Sequence, residues 1–130
     1  MKWWPTYSKR GDMIRVKCGS VYHYGIFVSE TEIIQFGRSP AYGDKERRVL
    51  STDISEFSRG GVVETMKLGF FERLSRIPPE KTVKLAREKI GEGGYDIVKN
   101  NCEHFAYRCV FGKSYSEQSD KKTARMKGAK

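Results

Sequence analysis

The sequence lacks several features, and each absence removes a class of protein. No apolar run approaches the ~18 residues that a membrane-crossing helix needs; the longest pieces are fragments such as Cys109-Val110-Phe111. The opening Met1-Lys2-Trp3-Trp4-Pro5 turns polar at once and lacks the apolar core of a secretory signal. Only three cysteines occur, Cys18, Cys102 and Cys109, with no Cys-x-x-Cys pair, so a disulfide scaffold is disfavoured and reduced thiols are expected. With only two histidines, a structural zinc site is not expected, and nothing in the sequence asks for a cofactor. There is no internal repeat.

What is present suits one soluble domain of 130 residues, 38% hydrophobic and 32% charged. The net charge of +9 favours polyanions or anionic membrane surfaces. Part of that charge is terminal. From Lys113 onward six basic residues face Glu117 and Asp120, a net +4, which leaves +5 for the first 112 residues. Residues 1–118 are therefore read as the domain and 119–130 as a disordered basic tail. Nucleic acid is a poor partner for this chain, because no basic face interleaved with aromatics accompanies the charge.

Residues 12–18 alternate apolar and polar like a half-buried strand. Tyr22–Val28 and Glu32–Phe36 read as a hairpin around Ser29-Glu30-Thr31, the first strand being apolar on both faces and so central in a sheet. Residues 37–47 read as a loop, 48–50 and 61–66 as short strands, and 95–98 as a short apolar piece. Pro79 opens a helix over 80–90 with a Val83, Ala86, Ile90 stripe. Asn100-Asn101 caps a second helix that carries Cys102, Phe105 and Cys109 and stops at Gly112. The Trp3-Trp4 pair reads either as a membrane-interface anchor or as packing on the domain edge.

A cysteine in the first turn of a helix meets orphan backbone N–H groups that favour its thiolate and can hold a developing oxyanion. Cys102 fits that description, although a lone cysteine is more commonly a small buried hydrophobe. His104 sits two residues along the same helix, about 200° around it, and cannot serve as its base; it reads as structural. His23 remains as a base, and a strand histidine is more commonly a core residue. Gln35 on the neighbouring strand shares the face of His23 if a three-residue loop, or a bulge, pairs Gly25 with Gln35. Pattern alone leaves all three positions open.

The segments Tyr22-His23-Tyr24-Gly25-Ile26-Phe27 and Asn100-Asn101-Cys102-Glu103-His104-Phe105 resemble the two signature boxes of the lecithin:retinol acyltransferase family, which includes the HRAS-like suppressor phospholipase/acyltransferases. The resemblance covers roughly residues 10 to 118. It implies an α+β, permuted papain-like (NlpC-type) fold, an antiparallel sheet against helices with the nucleophilic cysteine at a helix N-terminus. It further implies a thiol-dependent acyltransferase or phospholipase in which Cys102 takes the acyl group as a thioester and His23 is the general base. Gln35 stands where the family usually has a second histidine and would orient His23. The implied substrate is a phospholipid or other acyl ester, met in the cytoplasm or peripherally at an anionic membrane. The competing readings are a cysteine peptidase or amidase of the NlpC-type superfamily, and a non-catalytic module that binds membranes or nucleic acid. Whether Tyr22 or Tyr24 helps hold an oxyanion stays open at this level.

Overall fold

The computed structural model describes residues 2–38, 47–93 and 101–112. Among the described residues six strands form one antiparallel sheet, β1 (Lys2–Trp4), β2 (Asp12–Cys18), β3 (Val21–Ser29), β4 (Glu32–Gly37), β5 (Arg48–Thr52) and β6 (Val63–Lys67), in the order β1-β6-β2-β3-β4-β5. The same residues hold four helices: α1 (Ile54–Ser58), α2 (Phe70–Ser75), α3 (Pro79–Glu88) and α4 (Cys102–Phe111). The class is the expected α+β, and β3 is central as its two apolar faces required.

The period-2 alternation of the strands sends two sets of side chains to opposite faces. Met13, Ile26, Ile34 and Phe36 join Val83, Ala86, Phe105 and Val110 of α3 and α4 in the larger core. Ile14, Val16 and Ile33 join Phe57 of α1 in a smaller one. Each of these Val, Ile, Met and Phe side chains, once buried, is worth about 1.5–3 kcal/mol. The helix-α4 residues 104–107 and 109–111 are all buried, so α4 is a core element rather than a surface one.

Of the two hairpin arrangements the sequence left open, the one that pairs Gly25 with Gln35 forms, through a bulge. Its turn is the two residues Glu30-Thr31, with Ser29 opposite Glu32, and a bulge between Phe27 and Ser29 restores the register. The bulge supplies the parity that a three-residue loop would have given. The 80–90 helix ends at Glu88, so Val83 and Ala86 are buried while Ile90 lies beyond it and is exposed. Trp3-Trp4 is a strand paired with β6; Trp3 packs edge-on to Tyr24, and Trp4 is half exposed. Strand β1 and helices α1 and α2 lie outside the elements expected from the sequence. Residues 95–98, Asn100 and the basic tail lie outside the described residues, as does most of the 37–47 loop.

Gly25 is a position where the absence of a side chain shapes the fold. A Cβ there would meet Phe57 Cε1 at 2.9 Å and Ile33 Cγ2 at 3.2 Å. Helix α1 is thus seated directly beneath the middle of β3. Gly25→Ala is expected to lower stability by about 1–3 kcal/mol through overpacking, read as a lowered urea midpoint with an unchanged m-value.

Candidate active site

Asn101 caps α4, its side chain accepting from the His104 N–H at 3.0 Å, and this makes Cys102 the first helical residue. His23 and Gln35 stand on the α1 side of the sheet: Gln35 alternates with Ile34 and shares the face of Ile33, and the His23 ring lies 5.2 Å from that of Phe57. Cys102 comes from the other side, packed against the larger core. The two sides meet because the pairing of β4 with β3 stops at Gly25–Gln35, leaving the β3 edge at His23 and Tyr24 open. There the Tyr24 backbone N–H, with those of Glu103 and Cys102 itself, points at the cysteine sulfur. His23, Gln35 and Cys102 all line one cavity of about 670 Å³, and His104 does not.

The three side chains are polarised in sequence. Gln35 Oε1 faces His23 Nε2, and Gln35 Nε2 donates to Thr52 Oγ1 at 2.6 Å. An amide oxygen only accepts, so the imidazole proton sits on Nε2 and the basic lone pair is on Nδ1. Gln35 and Thr52 are both buried, so the amide is fixed from two ends. Thr52 was not singled out from sequence; a lone threonine in a short strand gives no signal until Gln35 and β5 are placed together.

Burial moves the Cys102 thiol and the His23 imidazole in opposite directions. It pushes the Cys102 thiol up from its ordinary 9.0, and the backbone N–H groups offset this only in part. It lowers the His23 imidazole from 6.5, against the Gln35 hydrogen bond and with help from Arg47 and Arg59. The helix-start argument for a ready thiolate is therefore outweighed. With the thiol raised and the imidazole lowered, the pair rests at neutral pH as thiol and neutral imidazole.

A second layer holds the start of α4. The Tyr24 hydroxyl donates to the Glu103 carboxylate, and burial with that carboxylate pushes Tyr24 up to about 12. The Arg15 guanidinium also bonds Tyr24, lies 4.3 Å over the Trp3 ring and 3.9 Å over that of Tyr22, and pairs with Glu64 at 2.9 Å. Both tyrosine rings are thus engaged, and Tyr24 reaches the sulfur through its main chain. Of the other cysteines, Cys109 is buried with its thiol pushed up to about 12, whereas Cys18 is exposed on the cavity wall. No cluster of metal-ligating side chains occurs among the described residues.

Comparison with known proteins agrees with the two sequence boxes. The family described as Lecithin retinol acyltransferase matches residues 6–115. Lecithin retinol acyltransferase of Homo sapiens is 24% identical over 134 residues, covering 86% of this chain and 58% of that protein. The Mus musculus protein of the same name is 25% identical with the same coverage. Phospholipase A and acyltransferase 2 of Homo sapiens is 27% identical over 119 residues, 83% of this chain and 74% of that protein. The chain thus spans little more than half, 58%, of the lecithin retinol acyltransferases it matches.

Proposed function

The chain belongs to the lecithin retinol acyltransferase family, and from that membership and the cavity we propose a thiol-dependent acyltransferase or phospholipase acting on a lipid ester. The observation that carries the reading is the cavity shared by the helix-start Cys102 and an imidazole whose tautomer Gln35 and Thr52 fix. Cys102 Sγ attacks the ester carbonyl as its proton passes to His23 Nδ1. The carbonyl oxygen takes up the electron pair beside the backbone N–H groups of Cys102 and Tyr24. Collapse forms the thioester and breaks the C–O bond, and His23 returns the proton to the departing alcohol. Water, an amine or another alcohol then attacks the thioester with His23 as base, which restores the thiol.

The permuted papain-like (NlpC-type) arrangement belongs to the same reading and is supported by histidine strand preceding cysteine helix in the chain. So does a cytoplasmic, peripheral encounter with a bilayer, favoured by the +9 charge; no described helix is long and apolar enough to cross one.

The direct test is intact-mass spectrometry during turnover of a phospholipid. An adduct of one acyl chain is expected, mapped to Cys102, cleaved by hydroxylamine and absent in Cys102→Ser. Phospholipid turnover that persists in Cys102→Ser would overturn the reading. So would cleavage of peptide amides alone, with every lipid ester left intact.

A further inference from the structure

The cavity wall carries a charge pattern that the acyl-transfer chemistry does not use. Arg38 follows β4, Arg47 precedes β5 and Arg59 caps α1, and all three line the same cavity as Cys102 and His23. Three arginines outside the cavity pair with carboxylates: Arg10 with Glu80, Arg15 with Glu64 and Arg87 with Glu32. Neither Arg38 nor Arg59 forms an ion pair with a described residue.

Arg59 adds a backbone observation. It is the one non-glycine with positive φ among the described residues, at φ 48° and ψ 41°, in the left-handed position that ends α1. That conformation is unfavourable for an L side chain and free for glycine, yet here it holds an arginine whose charge reaches His23. Among the described residues two carboxyl groups share the wall, Glu56 and Glu103. Glu103 is half-buried, takes the Tyr24 hydroxyl and is shifted toward its neutral form by burial. The balance of the wall is cationic.

We propose that Arg38, Arg47 and Arg59 form an anion-recognising rim that binds the phosphate of the acyl donor and selects donors whose headgroup is net negative. The proposal rests on the acyl-ester reading of the cavity and names its substrate class. A phosphodiester without a cationic group would take charge-assisted hydrogen bonds from the guanidiniums. A headgroup bearing a quaternary ammonium would bring a like charge to the same rim, and an ester lacking phosphate would bring neither.

The whole chain is tested on phosphatidylglycerol, phosphatidylcholine and diacylglycerol with the same acyl chains. Each is held at low mole fraction in neutral detergent micelles, so that the protein's overall charge does not sort the donors. The expected kcat/KM ratio of phosphatidylglycerol to phosphatidylcholine is on the order of tenfold, the scale of one hydrogen bond to a charged group, with diacylglycerol slowest. In the Arg38→Gln/Arg59→Gln variant the ratio falls to about one. Loss of Arg59 also alters His23, but both donors share that chemistry and the ratio cancels it.

Arg10→Gln/Lys84→Gln removes two charges from the distant α3 surface and keeps the tenfold preference. A ratio near one in the unaltered protein, a ratio retained in the cavity variant, or one lost equally in the surface variant overturns the proposal. Inorganic phosphate that binds the cavity tightly while donors show no headgroup preference also overturns it, as a site for the free ion. Non-hydrolysable ether analogues of the two phospholipids keep the tests separate. A binding preference that disappears in the cavity variant upholds the rim even where no acyl adduct forms on Cys102.

Discussion

Cys102→Ser and His23→Ala are each expected to lower kcat/KM for lipid-ester turnover by on the order of a thousandfold or more. The double variant is expected to fall no further than the worse single one, because nucleophile and base act as a unit. Additive losses would mean that the two residues serve separate steps. The resting protonation states sharpen the test. With the thiol raised and the imidazole lowered, the acid limb of kcat/KM belongs to His23 and falls below pH 6.5. The sign follows from the active form: the base must be neutral, so activity is lost as pH falls through a depressed imidazole pKa. A preformed thiolate–imidazolium pair would instead lose activity as the imidazolium deprotonates on the alkaline side. A normal solvent isotope effect on acylation is expected as well, since the thiol proton is in flight when the sulfur attacks.

Much of this site was legible in the sequence, for identifiable reasons. The alternation over 12–18 and the aromatic, β-branched run over 22–28 are local signals with one dominant solution, and both strands formed. Parity makes the pairing of Gly25 with Gln35 conditional on an odd loop or a bulge, since a plain two-residue turn would put His23 and Gln35 on opposite faces; the bulge meets the condition. The Asn101 cap fixed the start of α4. Helix α1 had a signal that went unused: Asp53 three residues before Glu56 is a cap signature, and Asp53 Oδ1 accepts the Glu56 N–H at 2.8 Å.

Helix α2 has only a start signal, Glu72 Oε1 accepting the Gly69 N–H at 2.9 Å, and its large side chains, Phe70, Phe71 and Leu74, face solvent and so give no buried stripe to read. Tertiary effects were also out of reach. That burial outweighs the helix start at Cys102 depends on what β3 and α4 cover together. That Arg38, Arg47 and Arg59 share one wall depends on the end of β4, the start of β5 and the end of α1 converging.

Gln35 is the departure from the expected family pattern, and its substitution tests whether the amide does the work of a second histidine. Gln35→Leu strips the partner from His23 Nε2 and from the Thr52 hydroxyl, so the ring is free to turn and to exchange tautomers. A loss of about ten- to a hundredfold in kcat/KM is expected, the scale of one buried hydrogen bond, with KM little changed. A merely structural residue could give the same loss, so the pH profile decides. The Gln35 hydrogen bond raises the His23 pKa against burial; removing it should move the acid limb to lower pH. Gln35→Glu reverses the sign. A carboxylate also accepts from Nε2–H and can accept the Thr52 hydroxyl proton, and its charge stabilises the imidazolium, so the acid limb should move to higher pH with activity partly kept. Opposite displacements in the two variants identify Gln35 as the residue that positions His23. Profiles that stay superimposed on the unaltered protein would remove it from that role, and the imidazole would then owe its orientation to the Phe57 ring packed beside it.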